Sequence, residues 1–398
     1  RSLLCIDNNY IRGTKSMAGK KVLVLGGGFG GVQSAINARS ALDSAHEITV
    51  IDKDRVSHLC GMNPLLIVGE RETNKTGRSL GRLTNRGIKF IQANIESIDT
   101  DAQEVITSSG TFNYDYLVIA LGAAYDWDAV PGAKGAYSFY DFNQARRLRR
   151  RLTRIKRGKI VLAASKPPYK CPPAPFETAM ILHWWAGHKG IRKDLEISVY
   201  IPEPGPLGVA GKDASMKVRN ALEKRGIELV TSAGVTEVSI DGREANFSNG
   251  SFTTADVIAT VPVHKLPDVV AMSGIAKDKP WVPVNSGTLE TSISNVFAIG
   301  DVNVVPAGEF SIPKAGVFAA AQGSKVGEII GKRINKSEDP EPYDGVGFCY
   351  LAYSGNRSAT VGGEFLANGG PVTILSEPTT SKMKSKVRFE KNWRNFKV

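Results

Sequence analysis

The sequence predicts an α/β fold with two Rossmann-like dinucleotide-binding domains and a small C-terminal domain. First, residues 22–25 are a short apolar segment followed by a glycine-rich turn and a helix-like segment. Second, residues 159–165 begin another strand–helix–strand pattern. Third, residues 294–303 read as a late buried strand that ends in Gly-Asp and belongs with the first pattern. Alternating strands and helices favour parallel sheets, and the interrupted first pattern indicates that one domain is inserted into the other.

Length and composition agree with this fold class. The 398 residues are enough for two or three domains, and 42% apolar and 23% charged residues are typical of a soluble globular protein. No apolar run approaches the roughly 20 residues that span a bilayer. Residues 1–16 lack the apolar core of a secretory signal, so we interpret them as a disordered extension. We therefore expect a cytoplasmic or peripheral membrane location.

The net charge of +12 favours an acidic partner such as anionic lipid or an acidic protein, or else a solvated basic surface. Nucleic-acid binding is not expected, because the basic residues lack interleaved aromatic side chains that would stack on bases. The four cysteines are too few for a disulfide-stapled scaffold, and none has C-x-x-C spacing typical of zinc. They therefore point to a chemical role or to simple burial.

The strongest local motif is G-x-G-x-x-G after the first predicted strand, at Gly26, Gly28 and Gly31. The first glycine permits the tight turn, the second lets the backbone approach a pyrophosphate, and the third lets the helix pack closely on the strand. A second strand ends at Asp52, about 20 residues further on, where an acid can bind ribose hydroxyls. We predict that these residues and the adjacent Gly30 bind a dinucleotide.

Two distant segments favour FAD over NAD. One is a strand that ends in a glycine turn at Gly122, and the other ends in Gly300-Asp301. In flavoproteins with two dinucleotide domains such an acid contacts the ribityl chain, although a helix cap is the alternative role for Asp301. A helix that begins around Lys314 and Gly316 would direct its N-terminus at the flavin, where its dipole and the lysine stabilise negative charge on the reduced ring.

The second Rossmann-like pattern lacks its phosphate-binding loop. No glycine lies between Gly158 and Gly187, and Tyr169, Lys170 and several prolines occupy the expected turn. These bulky residues would block the close approach of a pyrophosphate, so NADH binding by the usual route is disfavoured.

Cys171 and Glu177 lie where that loop is missing. The proline-framed loop limits the freedom of the thiol, and the carboxylate six residues later is placed to shuttle protons. The alternatives are an inert buried thiol for Cys171 and a first-turn helix charge for Glu177.

The segment YKCPPAPFETA, residues 169–179, resembles the R-C-P-P-G-P-Y-E-R-A segment of the flavoprotein subunit of flavocytochrome c sulfide dehydrogenase. The wider relatives are the sulfide:quinone oxidoreductases, and the resemblance runs over about residues 20–353. The stretches 281–303, 312–327 and 348–365 are similar to other segments of that family. The cysteine motif is the most specific of these likenesses.

The resemblance implies a redox disulfide between Cys171 and Cys349, placed against FAD. Hydrosulfide would open this disulfide, leaving a persulfide on one cysteine, and the electrons would pass to the flavin. Cys60 lies in a segment similar to the one through which flavocytochrome c binds its flavin covalently, so a thioether from Cys60 is expected. Its flanking residues differ from that family, and a plain buried cysteine is the alternative. Sulfide or polysulfide is the implied substrate.

The resemblance leaves the electron acceptor open between a quinone and a cytochrome. Phe389, Trp393 and Phe396 are spaced i, i+4, i+7 among basic residues, as in a helix that lies on an anionic membrane or docks on the flavin domain. Residues 146–159 form a second predicted amphipathic helix with a basic face.

Two other functions remain open. One is a type II NADH:quinone dehydrogenase-like enzyme, which needs the missing glycine loop. The other is a non-catalytic, basic flavin-binding protein. The expected domains are a disordered extension (1–16), a discontinuous FAD-binding domain (17–125 and 285–335), a second Rossmann-like domain without the NAD loop (126–284) and a C-terminal interface domain (336–398).

Overall fold

The computed structural model describes residues 19–397, so the predicted disordered extension lies outside the described residues. The elements up to residue 126 are β1 (Lys21–Leu25), α1 (Phe29–Ala41), β2 (Glu47–Asp52), β3 (Val56–His58), α2 (Asn63–Ile67), β4 (Gly77–Ser79), β5 (Lys89–Gln92), β6 (Ile95–Asp99), β7 (Glu104–Thr107), β8 (Gly110–Asn113), β9 (Tyr116–Ile119) and β10 (Ala124–Asp126).

The elements from residue 142 to residue 272 are α3 (Phe142–Leu152), β11 (Gly158–Ala164), α4 (Ala174–His188), β12 (Leu195–Tyr200), α5 (Gly211–Glu223), β13 (Glu228–Val230), β14 (Val235–Val238), β15 (Glu244–Phe247), β16 (Phe252–Thr254), β17 (Val257–Val261), β18 (Val263–Lys265) and α6 (Asp268–Met272). The remaining elements are β19 (Val282–Pro283), β20 (Val296–Ala298), β21 (Asn303–Val304), β22 (Pro306–Ala307), β23 (Phe310–Ser311), α7 (Gly316–Ile334), β24 (Val346–Ala352), β25 (Ser358–Glu364), β26 (Val372–Leu375) and α8 (Thr380–Arg394).

The first Rossmann-like sheet has the strand order β20-β9-β1-β2-β5, and all of its pairings are parallel. Its central strand β1 is almost entirely buried, because one face of the sheet packs on α1 and α7 and the other packs on the β6-β7-β8 sheet and α6. A strand that is covered on both faces is apolar throughout. The late strand β20 pairs with β9 across the inserted second domain, as the sequence pattern predicted. The site therefore includes segments from both ends of the chain.

The second sheet has the order β13-β12-β11-β17, again with parallel pairings. Its central strand β11 leads directly into the proline-framed loop and α4. The two parallel sheets confirm the predicted α/β fold with two Rossmann-like domains. Each domain also carries a three-stranded antiparallel sheet, β6-β7-β8 in the first and β14-β15-β16 in the second, which the sequence analysis did not identify.

Helix α7 lies very close to α1 because glycines line their contact. A Cβ added at Gly323 would lie 2.2 Å from the carbonyl oxygen of Gly30, and one at Gly327 would lie 2.5 Å from that of Ser34. Larger side chains would force the two helices apart. This close approach places the N-terminus of α7 beside the glycine-rich turn.

Helix α3 is shorter than predicted. It ends at Leu152 rather than at Lys159, and the backbone N–H of Thr153 closes it onto the carbonyl groups of Arg149 and Arg151. The prediction of a helix through Lys159 was wrong because Gly158 has a φ of +122° and starts strand β11. Ile155 remains buried, although it lies beyond the helix.

The C-terminal part consists of the antiparallel sheet β24-β25-β26 and the helix α8. The aromatic face of this terminal segment docks on the protein. Phe29 lies 5.7 Å from the Trp393 ring, and the Arg78 guanidinium lies 4.3 Å above Trp393 and 4.9 Å from the ring of Phe396. Of the two alternatives for these aromatic residues, the structure therefore has the docked helix. Within residues 19–397, no helix combines the length and apolarity needed to cross a bilayer.

Candidate active site

A cavity of about 1040 Å³ opens beside the glycine-rich turn of the first domain. Its volume is at the upper end of the range for small-molecule sites, about 300–1,000 Å³, as a dinucleotide-sized ligand would need. It lies at the carboxyl ends of the parallel strands, which is the usual ligand position in open α/β sheets. The predicted cofactor-binding residues that line it are Gly26, Gly28, Asp52, Cys60 and Gly122.

The glycines of the turn are required for different steric reasons. Gly26 has a φ of +103°, and a Cβ there would lie 2.4 Å from the carbonyl oxygen of Ala120. A Cβ at Gly31 would lie 1.9 Å from the Gly26 carbonyl oxygen, and one at Gly30 would lie 2.9 Å from that of Ala319 on α7. Gly28 differs, since a Cβ there would meet no atom within 4 Å and would project into open space. The Gly28 backbone is thus exposed to whatever the cavity binds.

Asp52 ends strand β2 at the same cavity. One carboxylate oxygen accepts a 2.6 Å hydrogen bond from the N–H of Gly27, and the other accepts a 2.8 Å bond from the N–H of Asp54. Burial raises the pKa of Asp52, whereas these backbone hydrogen bonds oppose the rise. The acid is therefore tied to the glycine-rich turn, and its place on the cavity wall suits the predicted contact with a ribose.

Asp301 lies beyond strand β20 and is half-buried, and its Oδ1 atom is enclosed without a hydrogen-bond partner in the described structure. Burial raises the pKa of Asp301, and the charges of Lys170 and Lys314 oppose that rise. Gly300, just before it, has a φ of +76°, which favours glycine. A buried carboxylate oxygen without a partner is costly unless a ligand supplies one.

Lys314 makes contacts within the chain that the sequence did not predict. Its ammonium donates hydrogen bonds to the carbonyl oxygens of Asp301 (2.7 Å) and Asn303 (2.9 Å), and it lies 3.6 Å from the centre of the Trp281 ring. Burial lowers the pKa of Lys314 to about 8. In this structure Lys314 holds the loop that carries Asp301, and a direct contact with a flavin stays a prediction.

Gly122 and Gly316 complete the predicted cofactor set. Gly122 has a φ of +69°, and a Cβ there would meet no atom within 4 Å. Gly316 is the first residue of α7, where a Cβ would lie 2.5 Å from the ring of Phe29. The open glycine backbone and the size of the large cavity fit a dinucleotide such as FAD. The orphan oxygen of Asp301, which lines a separate small cavity with Lys314, is a further acceptor for a ligand.

Cys171 lies in the loop between β11 and α4. It has a left-handed backbone conformation with a φ of 53°. Its N–H donates a 2.7 Å hydrogen bond to the carbonyl oxygen of Lys314, and its own carbonyl accepts a 3.3 Å bond from the buried Tyr140 hydroxyl. These bonds tie the cysteine loop of the second domain to the segment before α7.

The structure brings Cys171 and Cys349 into one cluster, although they are far apart in sequence. Both are free thiols, and both pack against the same buried apolar cluster. Burial raises the pKa of Cys171, and the negative charge of an ionised Cys349 raises it further. Burial likewise raises the pKa of Cys349 to about 11, and the charge of Glu177 adds to this rise. The two thiols and the carboxylate therefore act on one another electrostatically.

Glu177 joins the two cysteine-bearing segments. It is buried on α4, and its Oε1 atom accepts a 3.2 Å hydrogen bond from the N–H of Ala352 on β24. Burial raises the pKa of Glu177 to about 7, and the positive charge of Lys386 limits the rise. A carboxyl group that titrates near neutral pH can accept and return protons under physiological conditions.

The sequence analysis missed a buried charge cluster that surrounds Glu177. The Lys386 ammonium donates hydrogen bonds to the carbonyl oxygen of Gly61 (2.9 Å) and to Oε1 of Glu390 (3.0 Å), and it lies 4.0 Å from Oε1 of Glu177. Arg71 donates a 2.8 Å bond to the other oxygen of Glu390. The i, i+4 spacing of Lys386 and Glu390 was visible in the sequence, but it did not indicate that this face of α8 would enter the site.

Cys60 begins a 3₁₀ turn (Cys60–Met62) and lines the wall of the large cavity. It also lines a second cavity of about 10 Å³, together with Lys170 and Cys171. This volume is about that of one small molecule such as water. The structure therefore places Cys60 between the cofactor cavity and the thiol cluster.

In the second domain, the β11–α4 loop carries large side chains at the position of a nucleotide-binding turn. Tyr169 is buried and its ring lies 6.4 Å from that of Tyr140, while Lys170 extends toward the first-domain cavity. Side chains thus fill the space where a glycine-rich turn would receive a pyrophosphate.

Comparison with known proteins agrees with the geometry of the site. The family model described as pyridine nucleotide-disulphide oxidoreductase matches residues 20–162 and 177–323. The sulfide-quinone reductase of Aquifex aeolicus is 28% identical over 337 residues, covering 80% of this chain and 78% of that protein. A type II NADH:quinone oxidoreductase of Staphylococcus aureus is 26% identical, covering 82% of this chain and 85% of that protein.

The crystal structure of the Aquifex aeolicus sulfide:quinone oxidoreductase has the same fold. It superimposes with a TM-score of 0.85 at 24% identity, over 95% of this chain and 92% of that one. These matches confirm the likeness that the motif around Cys171 indicated. With most of its length covered by the family model, the chain belongs to the pyridine nucleotide-disulphide oxidoreductase family.

Proposed function

We propose that this protein is a flavin-dependent oxidoreductase that oxidises sulfide through Cys171 and Cys349 and passes the electrons to a quinone. The observation that carries the proposal is the cluster of these two thiols with the buried Glu177, beside a cavity that fits FAD. The similarity to the sulfide-quinone reductase of Aquifex aeolicus supports the choice of substrate and acceptor.

The thiol pair supplies the sulfur chemistry. With Cys171 and Cys349 joined as a disulfide, hydrosulfide attacks one sulfur, a new S–S bond forms and the original S–S bond breaks. One cysteine then carries a persulfide and the other leaves as a thiolate that holds the electron pair. A bound flavin supplies a two-electron acceptor for this pair. Loss of this electron pair and of the persulfide proton joins the substrate sulfur to both cysteines as a trisulfide. A second hydrosulfide then removes that sulfur, at the sulfane level, as a polysulfide anion, and the disulfide is restored.

Glu177 manages the protons of this exchange. Hydrosulfide brings one proton, and the persulfide must lose it before its outer sulfur can act as a nucleophile in the next step. With a pKa of about 7, the Glu177 carboxylate accepts that proton near neutral pH. Its hydrogen bond to the backbone of β24 keeps the oxygen close to the strand that carries Cys349.

Anaerobic titration of the purified holoprotein with sulfide tests the proposal. Sulfide is expected to bleach the flavin absorbance within the mixing time of a stopped-flow instrument, and decylubiquinone is then expected to restore it. Equal concentrations of NADH are expected to bleach the flavin far more slowly, because side chains fill the β11–α4 turn. Rapid bleaching by NADH with none by sulfide would favour the second candidate function, a type II NADH:quinone oxidoreductase like the Staphylococcus aureus relative.

If neither sulfide nor NADH bleaches the bound flavin, the result would favour a non-catalytic flavin-binding protein. Cytochrome c serves as the competing acceptor in the same experiment. Faster reoxidation by cytochrome c than by decylubiquinone would overturn the choice of quinone.

We propose that quinone is reached at an anionic membrane surface. Phe348 and Ile374 both pair with Gly362 in the C-terminal sheet, and their side chains are 45% and 57% exposed on one face. The nearby helix α8 adds the exposed basic residues Lys384 and Arg388. Apolar side chains beside basic ones suit an anionic bilayer. Reoxidation by quinone in anionic vesicles should therefore exceed that in neutral vesicles.

We also propose that Cys60 forms a thioether with the flavin. Its position on the wall of the cofactor cavity supports this bond, as does the sequence likeness to flavocytochrome c. Flavin is expected to stay with the polypeptide after acid or detergent denaturation of the holoprotein, and to be released quantitatively from the Cys60→Ser variant. Complete release from the unmodified protein would show that the flavin is bound without a covalent link.

A further inference from the structure

Lys170 is a half-buried cation that faces the cofactor cavity. It lines the large cavity and also the small one beside Cys60 and Cys171. Between residues 19 and 397, no carboxylate comes within ion-pair distance of its ammonium. A buried charge is costly unless an opposite charge or hydrogen bonds stabilise it, so an unpaired lysine facing a ligand cavity suggests an anionic ligand group.

Lys314, the lysine expected to face the flavin, already has hydrogen-bond acceptors within the protein. Its ammonium has two backbone carbonyl acceptors and an aromatic face as neighbours. These contacts account for most of its hydrogen-bonding capacity, since an ammonium has three donors. A second positive group is therefore needed if this chain is to contact the negative charge of a reduced flavin directly.

The charges around Lys170 leave an excess of positive charge at this end of the cavity. Asp301 is the carboxylate that acts on both lysines, so one negative charge faces two positive ones. His264 adds no charge, because burial and the two lysines lower its pKa to about 3. Burial lowers the pKa of Lys170, but the groups around it, chiefly Tyr125, Cys60 and Asp301, raise it by more. Lys170 is therefore protonated at neutral pH.

The position of Lys170 is well defined. The next residue, Cys171, is held by its hydrogen bonds to Lys314 and Tyr140. The ammonium lies 4.8 Å from the centre of the Tyr125 ring, and the hydroxyl of Tyr125 donates a 3.0 Å bond to the Tyr140 carbonyl. A positive charge in a fixed position can stabilise negative charge on a bound group without the cost of moving the side chain first.

We propose that Lys170 supplies the positive charge that stabilises the reduced, anionic form of the bound flavin and thereby raises its reduction potential. The assignment rests on the proposed function only in requiring a bound flavin, and it does not depend on the substrate. This assignment also explains why a large basic residue directly precedes Cys171. The side chain of Lys170 extends into the first-domain cavity and not into the second domain.

The test is the midpoint potential of the holoprotein, measured by dye equilibration without sulfide. Lys170→Gln is expected to lower the equilibrium constant for flavin reduction at least tenfold, about 30 mV for a two-electron couple. Lys170→Arg keeps the charge and is expected to keep most of the potential. Lys166→Gln removes an exposed lysine of the same loop and is expected to leave the potential unchanged.

An unchanged potential in Lys170→Gln would overturn the assignment, and so would an equal fall in Lys170→Arg. If Lys170→Gln is isolated without flavin, its dissociation constants for oxidised and reduced FAD give the same comparison. A selective loss for reduced FAD supports the assignment, whereas equal weakening of both overturns it. Failure of sulfide to reduce the unmodified protein would contradict the proposed substrate but would leave this measurement intact.

Discussion

Replacing Cys171 with serine is expected to slow the reduction of flavin by sulfide at least about a thousandfold while leaving flavin bound. The hydroxyl cannot form the disulfide with Cys349 that hydrosulfide opens, so no route remains from the substrate to the cofactor. Flavin should stay in place because its cavity is lined by the glycine-rich turn and Asp52. The measurement is stopped-flow absorbance under anaerobic conditions, with flavin content determined for each preparation.

Two controls make this result specific to the thiol. Cys349→Ser should show the same loss of rate, since the two sulfur atoms act as one unit. The double variant should therefore be no slower than either single variant. Lys166→Gln changes an exposed side chain of the same loop and should react at the unmodified rate. Dithionite should reduce the flavin of every variant. Sulfide reduction of Cys171→Ser at the unmodified rate would rule out the disulfide mechanism.

Replacing Lys386 with methionine is expected to destabilise the protein by about 3 kcal/mol and to move its activity to higher pH. The substitution leaves Glu390 and Glu177 buried without the ammonium that lies 3.0 Å and 4.0 Å from them. The loss is this large because the buried Glu177 carboxylate is left without its nearby cation, while Glu390 keeps Arg71 as its remaining partner. Chemical denaturation followed by fluorescence measures the change in the free energy of unfolding.

The direction of the pH effect follows from the groups around Lys386. Its positive charge lowers the pKa of Glu177, Cys171 and Cys349, and in each case it opposes the rise caused by burial. Without it, Glu177 loses its proton above its present value of about 7, and the thiols ionise at higher pH. Because these groups act in their deprotonated forms, the ascending limb of the pH–rate profile should shift upward, by about one pH unit.

Matched variants separate charge from packing in this experiment. Lys391→Met removes an exposed lysine from the same helix and should change neither stability nor the pH profile. Lys386→Arg keeps the charge and should restore the pH profile even if the larger group costs some stability. A pH profile unchanged in Lys386→Met would mean that Lys386 has only a structural role.

Much of the fold was predictable because its signals are local. The apolar strand, the G-x-G-x-x-G turn and Asp52 lie within about 30 residues, and each acts through backbone conformation or close packing. The missing nucleotide loop was also predictable from a local signal, because the residues between β11 and α4 alone decide whether a pyrophosphate can approach. The predicted end of α3 was wrong, since the helix ends at Leu152 and Gly158, which has a positive φ, already begins strand β11.

The site itself depended on contacts that no local pattern contains. The sequence by itself determined the two Rossmann-like folds, the cofactor turn and the proline-framed Cys171 loop, because these follow from neighbouring residues. Only the tertiary structure decided that Lys386 of the last helix lies beside Glu177, and that Lys314 bonds to its own loop while Lys170 faces the cavity. Side-chain direction and burial set the energy of a charge, and both arise only when distant segments pack together.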